Sequence, residues 1–389
     1  MNKFTPQINA PFSTHFLEPF SIIFVYFKQS INFYIMKTTT RISLIAAVAA
    51  ISLADDAEAC TRVVYVGDNN EVITGRTLDW KTPIGTNLYV MPRGMEREGY
   101  DESNTIKWTS KYGSVVSVGY DVGVNEGMNE MGLVCNLLYL PGTIYSRPND
   151  TRPYISTSVW AQYVLDNFAT TNDAVEELKK DKFQINAPSM PGGNATTLHM
   201  AISDATGNSA IVEYINGVIS IHEGVEYQVM TNAPIYNKQL AINEYWQHIG
   251  GMKMLPGTNN SSDRFVRASF YVDALPKNAS HQMALAGVFG IINNCSVPMG
   301  ISTPDQPEIS STQWRSVSDQ KDKVYYFEST LSPAIIWIDL SKCNLSKGAP
   351  VLKLDLINNT KTLVGEMNKQ MVKSKPFTPM FHIPKDMKF

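Results

Sequence analysis

A cysteine, an arginine and an aspartate lie close together in one stretch of the chain. Residues Ala57–Trp80 read AEACTRVVYVGDNNEVITGRTLDW. Ala57-Glu58-Ala59 has the small-x-small form of a signal-peptidase site. A cut after Ala59 makes Cys60 the first residue of the mature chain, so one residue carries a thiol and a free α-amino group. The thiolate is the nucleophilic form, and an unperturbed thiol titrates at about 8.5. An α-amino group titrates at about 7.7–8.0 and accepts the thiol proton near neutral pH. A guanidinium nearby favours the thiolate, which is the role open to Arg76. Asp79 can hold the amine or Arg76. The chemistry this set supports is nucleophilic acyl transfer. The plainer reading of Arg76 and Asp79 is an ion pair at a strand end.

The elements that must position these residues follow from the same stretch. Thr61–Val66 and Glu71–Thr77 are rich in β-branched residues and flank Gly67-Asp68-Asn69-Asn70, which reads as a hairpin. Pairing about Asp68-Asn69 sets Thr77 opposite Cys60. A three-residue loop sets Leu78 opposite Cys60 and turns Arg76 to the same face. A one-residue slip flips every side chain, and the sequence leaves the two registers open. In both, Arg76 and Asp79 return to within a few residues of Cys60.

Upstream, Met36 opens MKTTTRISLIAAVAAISLADDAEA. Lys37 and Arg41 precede an apolar run, Ile42–Ala54, that is too short to span a bilayer, as in a secretory signal peptide. The organisation expected is an upstream extension over 1–35 with Met36 as the true start, a signal peptide over 36–59 and one catalytic domain over 60–389. The mature protein is then exported, periplasmic or secreted, with no membrane span. A lipid-modified Cys60 is the competing reading, and it makes the chain an anchored binding module with no free thiol or amine. Glu58 fits a lipoprotein signal poorly.

Composition narrows the class. With 43% hydrophobic and 18% charged residues the chain is ordinary globular protein, and a formal net charge of −3 gives no footprint for nucleic acid. The four cysteines are widely spaced, so Cys135, Cys295 and Cys343 read as small buried hydrophobes. The six histidines are scattered without metal-ligand spacing, and His199 reads as structural.

Strands are expected at Val115–Val122, Gly132–Leu140, Thr197–Ser203, Ser209–Ile215, Val218–His222, Tyr227–Thr231, Trp314–Ser318, Lys323–Glu328 and Ala334–Asp339. Helices are expected at Tyr154–Phe168, Asp173–Lys180, Tyr236–His248 and Asp263–Ala274. Hairpins of strands with helices between them argue for antiparallel sheets flanked by helices, an α+β class.

Cys60 with Arg76 and Asp79 at this spacing resembles the choloylglycine hydrolase family, which holds bile salt hydrolases and penicillin V acylases among the N-terminal nucleophile hydrolases. Further segments carry the resemblance over about residues 60–340: GMNEMGL (Gly127–Leu133), LYLPG (Leu138–Gly142), TNAP (Thr231–Pro234), SSDRFVR (Ser261–Arg267) and Thr312–Ser329. Arg76–Arg97 looks most like the Gram-negative branch.

The resemblance implies a four-layer αββα sandwich with Cys60 at the end of an inner strand. It implies Asn232 and Arg264 in the site, Asn232 donating to an oxyanion together with the Tyr139 backbone N–H, and no metal or cofactor. It also implies a homotetramer and a small-molecule amide substrate with a bulky, apolar acyl group. Bile salt hydrolases typically carry Asn at the position of Tyr139, and penicillin V acylases carry Tyr. The reaction implied is hydrolysis of a linear amide through a Cys60 thioester, as in conjugated bile salt hydrolysis, with penicillin V or N-acyl homoserine lactone cleavage as alternatives. Leu137–Tyr145 and Met91–Met95 are the segments expected to line an apolar pocket. Arg264, in a helix's first turn where the macrodipole disfavours a cation, has an ion pair with Asp263 as its plainer reading.

Overall fold

The computed structural model of the chain describes residues 60–68, 70–99, 104–188, 197–301, 310–332 and 334–379. The upstream extension and the signal peptide expected over 1–59 lie outside the described residues.

The first strands are β1 (Cys60–Val66), β2 (Val72–Trp80), β3 (Thr86–Met91), β4 (Glu96–Glu98), β5 (Lys107–Thr109), β6 (Ser114–Gly119), β7 (Gly123–Asn129), β8 (Val134–Tyr139) and β9 (Tyr154–Ser156). Helices α1 (Thr157–Asn167) and α2 (Thr171–Leu178) follow, then strands β10 (Gln184–Asn186), β11 (Leu198–Ser203), β12 (Ser209–Ile215), β13 (Val218–Glu223) and β14 (Val229–Met230). Next come helices α3 (Tyr236–Ile249), α4 (Ser261–Ala274) and α5 (His281–Asn294). The chain closes with β15 (Ser311–Asp319), β16 (Val324–Ser329), β17 (Ile336–Asp339), β18 (Val351–Leu354), β19 (Gly365–Glu366) and β20 (Val372–Ser374).

Two large sheets result. One has seven strands in the order β14-β1-β2-β15-β16-β17-β19, and the other has nine in the order β13-β12-β11-β8-β7-β6-β3-β18-β20. Their pairings are antiparallel except for β17 with β19. Helices α4 and α5 pack on β1 and β2, and α1 packs on β7 and β8. This is the four-layer αββα sandwich, an α+β fold. Among the described residues no helix is long and apolar enough to cross a membrane.

The β1–β2 hairpin takes the three-residue-loop register. Cys60 pairs with Leu78, Arg62 with Arg76 and Val66 with Val72. The loop closes through the Gly67 N–H to Glu71 O and the Glu71 N–H to Asp68 O, with Asn70 at φ 58°. Asn tolerates that left-handed conformation better than most residues. Directly paired residues share a face, so Cys60, Arg62, Leu78 and Arg76 look toward the second sheet, while Thr61, Thr77 and Asp79 look toward the helices. Gly75 lies on the helix side, where a Cβ would come within 2.6 Å of the Val288 side chain, so α5 approaches β2 only over glycine.

Some expected elements shift. Tyr154–Ser156 is a strand before α1, whose N-cap Ser156 accepts from the Ser158 N–H. Helix α2 starts at Thr171, capped by Thr170, ahead of the expected Asp173. The strand expected over Val115–Val122 ends at Gly119, because Tyr120 and Asp121 take φ 52° and 58°. Strands β3 and β7 carry no strong alternation in the sequence, and helix α5, although capped by Ser280, which accepts from the Met283 N–H, is likewise an addition to the expected elements. The four cysteines are free thiols, buried except for half-buried Cys343.

Candidate active site

Cys60 sits at the open end of the hairpin, 4% exposed. Its thiol lies against the Asp79 main chain, with the Asp79 N–H 3.5 Å from Sγ and the Asp79 carbonyl 3.8 Å away. Burial pushes the thiol pKa up; the Arg76 guanidinium is the largest influence in the other direction, and Asp79 adds to the rise. The charge of Arg76 thus acts in the expected sense, but it is outweighed by desolvation in this chain, where Ala59 still precedes Cys60.

Arg76 is fully buried between the sheets. It donates to Glu126 Oε2 at 3.2 Å and to the Leu137 carbonyl at 2.8 Å, and its guanidinium stacks 4.8 Å from the Trp314 ring. Glu126 also accepts from Asn136 Nδ2 and from the Tyr325 hydroxyl. The alternative of a surface ion pair therefore fails: Arg76 and Glu126 side chains are 2% and 1% exposed.

Asp79 is buried on the opposite face. Its Oδ2 accepts from the Thr77 hydroxyl, the Thr312 hydroxyl on the paired strand β15 also favours its charged form, and its Oδ1 makes no direct hydrogen bond. Burial raises its pKa to about 6, with Arg264 the largest opposing influence. The same Thr77 hydroxyl accepts from the Thr61 N–H, so Asp79 is one hydrogen bond removed from the backbone next to Cys60.

Asn232 and Arg264 converge on Cys60 from distant parts of the chain. The Cys60 N–H donates to Asn232 Oδ1, which also accepts from Arg264 Nη2 at 3.1 Å. Arg264 Nη1 donates to the Cys60 carbonyl and to Thr61 Oγ1, both at 2.6 Å, and its Nε donates to the Asn259 carbonyl. No ion pair with Asp263 forms, because Asp263 accepts from Thr258 instead. The unfavourable helix-start position of Arg264 is thus occupied by a side chain that ties α4 to β1.

The orientation of Asn232 differs from the simplest expectation. Its Nδ2 already donates to the Tyr139 carbonyl at 2.8 Å. A primary amide carries two N–H donors, so one remains for a substrate oxygen. Because the Leu140 N–H donates to Thr197 in β11's direction, the Tyr139 C=O and N–H share the other side of β8, the side facing Asn232.

The cleft above Cys60 encloses about 820 Å³, part of it open to solvent, and is largely apolar. Tyr139 meets Trp80 edge to face at 6.0 Å between ring centroids. Leu78, Ile84, Tyr120 and Val122 add to its wall. Leu137 and Tyr139 line it, but Tyr145 is buried in the core against α1 with its hydroxyl on Leu198. Met91–Met95 is likewise elsewhere: Met91, the last residue of β3, is buried in that same core, and Met95, in the loop after β3, packs against it.

Sequence reasoning missed several supporting residues. Gln239, one of two buried residues of α3, donates to the Asn232 and Pro234 carbonyls and holds the Asn232 backbone. Glu126 and Trp80 were also overlooked. Glu126 is a single acid inside a β-like run, and Trp80 directly follows Asp79.

Comparison with known proteins gives a consistent picture. Residues 60–363 match the family model for linear amide C–N hydrolases, choloylglycine hydrolase family. The chain is 42% identical over 372 residues to the penicillin V acylase of Pectobacterium atrosepticum, covering 89% of this chain and 98% of that protein. It is 26% identical to a bile salt hydrolase/transferase of Clostridium perfringens, covering 74% and 94%. Among solved structures, penicillin V acylase from Agrobacterium tumefaciens superposes with a TM-score of 0.77 at 54% identity, covering 82% of this chain and 99% of that one.

Proposed function

Because the chain belongs to the choloylglycine hydrolase family of linear amide C–N hydrolases, we propose that it cleaves phenoxyacyl amides of the penicillin V type, with Cys60 as the nucleophile. It is an amidohydrolase acting on a small-molecule amide. The finer reading rests on one observation: Cys60 lies beneath an apolar cleft bordered by the Trp80–Tyr139 edge-to-face pair. A flat, short aromatic acyl group suits such a wall. The identities to penicillin V acylases, 42% and 54%, support the same choice over the 26% to a bile salt hydrolase.

In this mechanism the upstream peptide is removed on export to the periplasm, leaving Cys60 at the N-terminus. The family match beginning at Cys60 supports that. The new α-amine takes over the position from which the Cys60 N–H now meets Asn232 Oδ1. It accepts the thiol proton, and Sγ attacks the amide carbonyl. The second Asn232 N–H and the Tyr139 N–H stabilise the oxyanion. The C–N bond breaks as the amine leaves with a proton from the α-ammonium, and water then hydrolyses the thioester. Asp79, with its unpartnered Oδ1, holds the α-ammonium. Arg76 sets the field at the thiol, and Arg264 fixes Cys60, Thr61 and Asn232. Family resemblance supports assembly as a homotetramer.

Purified mature protein assayed against penicillin V, glycine- and taurine-conjugated bile salts and N-acyl homoserine lactones tests the substrate. The expected result is kcat/KM at least tenfold higher for penicillin V. A preference for a bile salt overturns the aromatic reading of the cleft while leaving amide hydrolysis in place.

A further inference from the structure

The far end of the β1–β2 hairpin carries a second cluster of ionisable side chains, roughly 20 Å along β1 from Cys60 at the usual rise per strand residue. Three elements meet there: Glu71 precedes β2, Asp319 ends β15, and His281 opens α5. One ligand-type atom from each lies within 4.8 Å of the others. The residues are far apart in sequence, so no spacing announces them.

The geometry around His281 is asymmetric. Its Nδ1 is 2.6 Å from Glu71 Oε1, a full hydrogen bond. Its Nε2 is 3.5 Å from Asp319 Oδ2. That oxygen is buried and accepts no hydrogen bond, while the Asp319 Oδ1 is satisfied by the Asp322 N–H. The Asp319 side chain is 1% exposed, and His281 is 38% exposed, which leaves a path from solvent. Two ligands each about 2.1 Å from a tetrahedral metal ion stand about 3.4 Å apart. The Nε2–Oδ2 gap has that length. A carboxylate on the opposite ring nitrogen is the arrangement that orients metal-bound imidazoles.

We propose that His281 Nε2 and Asp319 Oδ2 bind a divalent transition-metal ion, with Glu71 orienting the imidazole through Nδ1. Imidazole and carboxylate together favour zinc-like ions over magnesium, which prefers oxygen alone. The ion would tie the hairpin turn, the start of α5 and the end of β15 together, well away from the catalytic thiol. Lys321, 3.3 Å from Glu71 Oε2, shares the orienting carboxylate.

The test uses the mature Cys60→Ala protein, so that the catalytic thiol takes up no metal. After EDTA treatment and dialysis, zinc uptake is measured by calorimetry and by elemental analysis. The expected result is one zinc per chain and a melting temperature raised by zinc but not by magnesium. Asp319→Asn and His281→Gln each abolish uptake, and Glu71→Gln weakens it by about 10–100-fold. Melting in EDTA checks that each variant is folded, and His281→Gln decides the matter if Asp319→Asn is not. No saturable zinc uptake, or equal uptake in the His281→Gln variant, overturns the proposal and leaves His281 as an imidazolium clamp between two carboxylates.

Discussion

The two faces of the β1–β2 hairpin both place a buried arginine beside Cys60, yet they are built differently. On the face toward the second sheet, Arg76 is balanced by Glu126, which Asn136 and Tyr325 also engage. On the face toward the helices, the hydrogen bonds of Arg264 go to neutral oxygens of Cys60, Thr61, Asn232 and Asn259. The opposing charge that acts on it most is Asp79, which keeps one oxygen unpartnered. The first arrangement is a closed charge network that reaches the thiol only through its field. The second is a scaffold in contact with the nucleophile's own backbone, with an unfilled carboxylate beside it. Two arginines near one thiol are therefore not interchangeable.

The largest expected effect removes the point where the faces meet. Cys60→Ala should abolish turnover while the protein stays folded, and Cys60→Ser should lose most activity because a hydroxyl ionises far less readily. Near-normal kcat in either variant would move the nucleophile elsewhere and dissolve the comparison. Next comes the scaffold face. Arg264→Ala strips three hydrogen bonds from Cys60, Thr61 and Asn232, and misplacing a catalytic group by about 1 Å costs on the order of a hundredfold. The loss should appear in kcat/KM, with KM rising for substrates with charged leaving groups. The thiol's alkylation profile against pH should move less than in Arg76→Ala. A larger shift in the Arg264 variant would reverse the assignment of field and scaffold.

The field face should give a smaller kinetic loss. Arg76→Ala is expected to raise the Cys60 thiol pKa and lower kcat by about tenfold to a hundredfold, the scale of one to two pKa units. It also leaves Glu126 buried and unpaired, which costs about 3–5 kcal/mol of stability. The double variant Arg76→Met with Glu126→Gln separates the two effects. Stability should recover while the raised thiol pKa remains, as read by iodoacetamide alkylation. Recovery of both would make Arg76 a structural partner of Glu126 and nothing more.

Much of this arrangement was legible in sequence because it is local. The hairpin joins Cys60 to Arg76 and Asp79 through one turn, and β-branched runs on each side define it. Its register was one of two, and the left-handed Asn70 that selects it acts through backbone geometry that composition does not encode. Asn232, Arg264 and Tyr139 were legible only through family resemblance, since their approach to Cys60 depends on how β8, β14 and α4 pack. The Glu126 network was not legible at all. Its members come from β2, β7, β8 and β16 and meet only when the sheets stack. Met91–Met95 shows the converse error, in which apolar character was read as pocket lining although Met91 is buried in the core at the end of β3 and Met95 packs against that core.

The smallest expected effect concerns the unfilled carboxylate. Burial raises the Asp79 pKa from 3.8 to about 6 in a chain that still carries Ala59. A raised pKa means the folded state binds the proton more tightly than the unfolded one. The group's contribution is therefore most favourable below about pH 4 and is lost as pH rises through about 6. Two units correspond to about 3 kcal/mol, an order-of-magnitude figure, or a few degrees in melting temperature. Asp79→Asn removes that penalty, so in a form beginning at Ala59 the variant should melt higher than the parent above pH 6, and the gap should close at lower pH. In the mature protein the Cys60 ammonium supplies the missing partner and favours the ionised carboxylate. There the gap above pH 6 should shrink or change sign, while activity falls in the variant. Melting curves of both forms from pH 4 to 8 decide it. An equal gap in the two forms would show that Asp79 does not feel the amine, and the helix-side face would then be scaffold alone.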